Sequence, residues 1–202
     1  MTKKVLITGD SFAADWSVKY HDYPGWPNLL SRKYTVTNLA QAGCSEYKIW
    51  QQIESADLSL YDAVIVSHTS PYRLPVENHP VHKDDALHKD CDLIYTDIKE
   101  SGKKDLHSIV EFFEKYFHTD YAKFVHQLII SHELNYISQH CKGPILTISN
   151  LDCSHLVSRN EFLDFSKLFR EQRGIVNHFS EQANQKICTT IEQWLTTNLP
   201  ST

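Results

Sequence analysis

Three short and almost wholly apolar runs, around Val5-Leu6-Ile7, Ala63-Val64-Ile65-Val66 and Ile145-Leu146-Thr147-Ile148, alternate with longer stretches whose apolar residues recur at helical spacing. Runs of that kind suit strands buried on both faces, and strands that alternate with helices build a parallel sheet. The expected class is therefore α/β, a three-layer α/β/α sandwich with helices on both faces of a parallel sheet.

Four strands are expected, over residues 3 to 8, Tyr34 to Leu39, Ala63 to Ser67 and Ile145 to Ser149. Trp26, Leu29 and Leu30 belong to a short helix opened by Pro24 and Pro27. Ile49, Trp50, Ile53 and Ala56 mark a second helix with Ser45 as its cap. Two further helices are expected at 105–117, with Leu106, Ile109, Val110 and Phe113 inward, and at 121–140, with Phe124, Val125, Leu128 and Ile129 inward. A short helix follows near 159–170. The last helix, about 180–197, carries Ala183, Ile187, Ile191, Trp194 and Leu195 on one stripe behind the N-cap Ser180. Between 75 and 104 the periodicity is lost, the pattern of a lid or an irregular insertion. No second-domain boundary or repeat is visible, so residues 1–202 are expected to form one domain.

The charge balance is 20 Lys and Arg against 25 Asp and Glu, a formal net charge of −5, which leaves no basic footprint for nucleic acid or an anionic membrane. The five cysteines are odd in number and contain no CxxC pair, which argues against a disulfide framework or a zinc ribbon. Met1-Thr2-Lys3-Lys4 runs straight into the first strand and no segment reaches membrane-spanning length, so a cytoplasmic, unexported protein is expected.

The chemistry is expected at the end of the first strand, where Gly9-Asp10-Ser11-Phe12 delivers a serine hydroxyl to the rim of the sheet. Gly9-Asp10-Ser11-Phe12, the block Asn38-Leu39-Ala40-Gln41-Ala42-Gly43-Cys44-Ser45 and the late Asn177-His178-Phe179-Ser180 together resemble the SGNH or GDSL superfamily of esterases and acylhydrolases, over nearly the whole length. The resemblance implies a flavodoxin-like sheet, Ser11 as nucleophile, His178 as its base, and backbone N–H groups of Ser11 and Gly43 as oxyanion donors. It also implies a small ester or O-acylated carbohydrate as substrate, with no metal and no cofactor.

Two positions depart from the family pattern. The acid expected three residues before the histidine is replaced by Ile175, and no asparagine follows the third strand, which runs into Thr69-Ser70-Pro71-Tyr72-Arg73. Ser70 or a backbone N–H near Thr69 are the alternatives for the missing oxyanion donor. Asp152, Asp164, Glu171 or a main-chain carbonyl are those for orienting the imidazole. Arg73, at the rim, is read either as a clamp for an anionic substrate group or as an ion-pair partner of a lid acid. Asp10 is expected to brace its loop. His79, His82 and His88, with Asp84 and Asp85, are read as solvated loop residues, because their spacing fits no zinc signature.

Two rival readings keep the architecture. In one the chain is a sugar-binding or scaffolding relative without turnover; in the other Thr8-Gly9-Asp10-Ser11 holds the phosphate of a flavin or similar ligand. Binding of acetylated sugars without hydrolysis favours the first, and flavin absorbance the second.

Overall fold

The computed structural model describes residues 2–16, 22–82, 87–151, 161–174 and 178–200. Five parallel strands, β1 (Lys4–Gly9), β2 (Thr35–Asn38), β3 (Ala63–His68), β4 (Ile145–Ser149) and β5 (Glu161–Asp164), lie in the order β2-β1-β3-β4-β5. The chain moves outward in one direction from β1 to β2 and in the other from β3 to β5. The switch between β1 and β3 leaves a crevice at the carboxyl ends of those strands, where ligands bind in sheets of this kind.

Period-two alternation divides the core between the two faces. Val5, Ile7, Ala63, Ile65, Leu146 and Ile148 pack on one side against Trp26 and Leu30 of α1 (Trp26–Leu30) and against Ile187, Ile191 and Leu195 of α7 (Glu181–Asn198). Leu6, Val64 and Val66 pack on the other against Ile49 and Ile53 of α2 (Glu46–Glu54) and Ile137 of α5 (Thr119–His140). Each fully buried Leu or Ile contributes about 1.5–3 kcal/mol relative to exposure, so the interior positions of all three central strands favour this two-sided burial.

Several expectations change. Glu161–Asp164, assigned from sequence to the start of a helix, is the edge strand β5, and α6 begins only at Ser166 (Ser166–Glu171). α4 (His107–Lys115) buries no residue, so it does not cover the sheet. In α5 the buried side chains are His126, Ile130, Glu133 and Ile137, while Phe124 and Leu128 are more than half exposed. Ser45 occupies the N-cap of α2 without a side-chain cap bond; its backbone N–H donates instead to Asp92 Oδ2 at 2.7 Å. Ser180 does cap α7, accepting from Ala183 N at 3.2 Å.

The segment expected to be irregular carries α3 (Tyr95–Glu100) and is fastened to the β2–α2 connection. Ala42 N donates to Leu87 O at 2.8 Å and Asp92 N to Gly43 O at 3.1 Å. The fully buried Asp92 carboxylate also accepts from Val76 N at 2.8 Å and pairs with Lys48 Nζ at 2.8 Å. His79 is buried, not solvated, and its Nδ1 accepts from Val81 N and His82 N. Asp84 and Asp85 lie outside the described residues. No helix among the described residues is long and apolar enough to cross a membrane.

Candidate functional site

β1 ends at Gly9, a glycine because its backbone passes so close to β3 that a Cβ there would stand 2.6 Å from Ser67 Cβ. The chain then turns tightly, with Ala13 N and Ala14 N donating to Asp10 O at 3.0 and 3.1 Å. Ser11 sits on this turn and is 9% exposed. Indole N–H groups hold the turn from outside: Trp16 Nε1 donates to Ser11 O, and Trp26 Nε1 to Phe12 O at 2.8 Å. Asn38 Nδ2 donates to Ala13 O at 2.8 Å, tying the turn to the end of β2.

Asp10 braces the same turn from below. Its Oδ1 accepts from Phe12 N at 3.1 Å, and its Oδ2 from Thr69 Oγ1 at 2.9 Å and Arg73 Nη2 at 3.1 Å. Burial raises the Asp10 carboxyl above its ordinary value, and the Arg73 charge and these hydrogen bonds act against that rise. Arg73 donates through Nη1 to Cys44 O at 2.7 Å as well, and its side chain is 7% exposed. The guanidinium is therefore a structural clamp between two loops, and its acid is Asp10, not a lid carboxylate.

His178 reaches this region from the other end of the sequence. Gly174 N donates to His178 O at 2.6 Å, and Phe179 packs against Phe12 with ring centroids 5.3 Å apart. The His178 ring lies 4.4 Å from the Trp16 ring and 5.3 Å from the Phe12 ring. Ser11, Trp16, Tyr23, Gly25 and His178 line a common pocket of about 10 Å³, room for about one water molecule.

The other expected residues are distributed differently. Gly43 has φ +76°, and a Cβ on it would lie 2.3 Å from Cys91 Sγ, so glycine is required both by conformation and by space. It is not among the residues lining the Ser11–His178 pocket, although neighbouring Cys44 reaches Gly9 O through its Sγ at 3.4 Å. The Thr69 N–H is committed to Glu46 Oε2 at 3.0 Å, which removes it as an oxyanion donor. Ser70 Oγ accepts from Tyr72 N at 3.3 Å and faces two larger cavities, of about 400 and 550 Å³, that also touch Arg73. Asp164 accepts from Ser166 N at 2.8 Å at the start of α6, and Glu171 is exposed. Ile175, Asn177 and Asp152 lie outside the described residues.

A polar cluster that sequence reasoning missed lies under the 400 Å³ cavity. Glu46 opens α2, His68 closes β3, and His126 and Glu133 stand two turns apart on the buried side of α5. Glu46 Oε1 lies 2.7 Å from His68 Nδ1, and its Oε2 lies 2.9 Å from His126 Nε2. Glu133 Oε2 is 3.9 Å from His68 Nδ1. Burial acts to raise the Glu46 carboxyl, but the two imidazoles outweigh it and hold the group below the usual carboxylate range. Burial, reinforced by Glu46 alongside, pushes Glu133 well above that range. The available signal was the pair of polar residues at i and i+7 in a helix whose exposed face carries Phe124 and Leu128.

No protein-family description matches the sequence, and no curated protein matches it.

Proposed function

We propose that the chain is a serine hydrolase of the SGNH or GDSL type that cleaves, or transfers, an O-acyl group of a small ester or acylated carbohydrate. The observation that carries this reading is the shared pocket of Ser11 and His178, residues from opposite ends of the sequence. The five-stranded parallel sheet and the switch beside the Ser11 turn support it.

A serine hydroxyl is a weak nucleophile at neutral pH, and an adjacent imidazole activates it by accepting its proton as the C–O bond forms. In this reading His178 takes the Ser11 proton and returns it to the leaving alkoxide, and water then releases the acyl group by the same relay. The oxyanion is met by the Ser11 backbone N–H, a fixed donor that needs no reorganisation; Gly43 N–H joins it only if substrate entry opens the pocket towards the β2–α2 connection. Asp10, held by Arg73 and Thr69, keeps the Ser11 turn rigid during the exchange. The small pocket means that substrate enters by displacing a wall, and Trp16, in contact with both Ser11 and His178, is the wall we assign.

The test is hydrolysis of p-nitrophenyl acetate and of acetylated sugars by the purified chain. Turnover that disappears in Ser11→Ala, with circular dichroism unchanged, supports the reading; equal turnover in that variant overturns it. Binding of acetylated sugars without turnover would instead favour a non-catalytic carbohydrate-binding protein.

A further inference from the structure

Buried carboxylates are ordinarily satisfied by donors, because an ionised group without partners is costly to remove from water. Glu46 obeys this rule, accepting from Thr69 N at 3.0 Å and approached by His68 Nδ1 at 2.7 Å. Glu133 does not. It is fully buried, and among the described residues no N–H or O–H group donates to either of its oxygens. Its carboxylate faces Glu46 and His68, so two acids and an imidazole converge on one point with their ligand atoms all within 4.8 Å of one another.

We propose that Glu46, His68 and Glu133 bind one divalent first-row transition-metal ion of the zinc class at the floor of the 400 Å³ cavity, with His126 orienting the Glu46 carboxylate. Ligand atoms about 2.0–2.2 Å from a tetrahedral ion stand roughly 3.3 Å from one another. The separations from His68 Nδ1, 2.7 Å to Glu46 and 3.9 Å to Glu133, straddle that value, and side-chain shifts of about 0.6 Å bring them to it. The donor set also selects the ion. The His68 imidazole disfavours Mg²⁺ and Ca²⁺, which take oxygen ligands, and the absence of a thiolate from the set disfavours Cu(I) and iron–sulfur chemistry. The ion's double positive charge matches two carboxylates that are both ionised once it binds, the Glu133 proton being released to solvent.

Access is provided. Glu46 and His126 both line the cavity, whose remaining wall includes Tyr47, Arg73 and Phe117, so an ion can enter and a water can complete its coordination. The cluster also lies at the carboxyl end of β3, beside the switch point of the sheet. A second group of potential ligands, His79, His82 and Cys91, is less suited. His79 Nδ1 already accepts two backbone N–H bonds, which leaves the ring proton on Nε2, the nitrogen that would have to bind the ion. The proposal does not depend on Ser11 chemistry, although Thr69 links the two regions through Glu46 and Asp10.

The test is isothermal titration of the chelator-stripped full chain with Zn²⁺, and a parallel titration with Co²⁺ read by its visible absorption. One ion per chain is expected, with affinity falling at least about 10- to 100-fold in His126→Asn and in Glu133→Gln, and unchanged in His79→Asn. The Co²⁺ spectrum of the wild-type chain, which needs no variant to fold, should show the intense bands of four-coordinate nitrogen and oxygen ligation. Absence of a Co²⁺ or Zn²⁺ complex in the wild type overturns the proposal. So does binding that survives both cluster substitutions or is lost in His79→Asn.

Discussion

Arg73 Nη2 donates to Asp10 Oδ2 at 3.1 Å, joining the turn that carries Ser11 to the loop that leaves β3. Both side chains are buried, so removing one partner leaves the other uncompensated. Arg73→Met is expected to destabilise the fold by about 3–5 kcal/mol and to lower any esterase activity by loosening the Ser11 turn. The double variant Asp10→Asn, Arg73→Met should be more stable than Arg73→Met alone. Urea denaturation of wild type, Asp10→Asn, Arg73→Met and the double variant checks this; additive losses would mean the pair is not coupled.

Gly43 meets two separate obstacles to substitution. Gly43→Ala places an L-residue at φ +76°, costing roughly 1–2 kcal/mol, and drives a methyl group against Cys91 Sγ. Adding Cys91→Gly should recover the steric part and leave the conformational part. Thermal melts of the single and double variants separate the two, and no recovery in the double variant would show that contact with Cys91 is irrelevant.

Burial first, and the His82 ring second, lower the His79 imidazole from its ordinary 6.5 to about 4. The unfolded chain therefore takes up a proton near pH 6.5 that the folded chain refuses until about pH 4. This contribution is fully present above pH 6.5, declines as pH falls towards 4, and changes no further below that. His79→Asn, whose Oδ1 can accept the Val81 and His82 N–H bonds, should lose less stability than wild type between pH 7 and 4.5. Equal losses in urea melts at the two pH values would contradict the assignment.

The thiols of Cys44, Cys91, Cys141 and Cys188 are all buried and unpaired in disulfides. Desolvation pushes Cys91 and Cys188 up to about 12, so few thiolates exist at neutral pH. These four should react with Ellman's reagent only at the rate of unfolding, measured against the same protein in denaturant. Fast reaction of more than one thiol in the native protein would contradict this.

The strands β1, β3 and β4 were legible because burial on both faces demands continuous apolar runs. β5 was not: it is a four-residue edge strand, and Phe162, Phe165 and Phe169 repeat at three and four, which imitates a helix. Likewise Phe124, Val125, Leu128 and Ile129 read as the inward face of α5, whereas its buried side chains are His126, Ile130, Glu133 and Ile137, and Phe124 and Leu128 are more than half exposed. Local pattern cannot identify a buried polar cluster, because its members are stabilised by partners on α2 and β3. The Ser11 turn was visible as Gly-Asp-Ser after a strand; the pairing of Asp10 with Arg73 was not, since it depends on how two loops meet above the sheet.

The most direct test of the account is peptide mapping after treatment of the native chain with a fluorophosphonate. The account predicts a single adduct on Ser11, strongly slowed in His178→Asn and absent after denaturation. An unlabelled Ser11 in the folded protein, or labelling indifferent to His178, would contradict it.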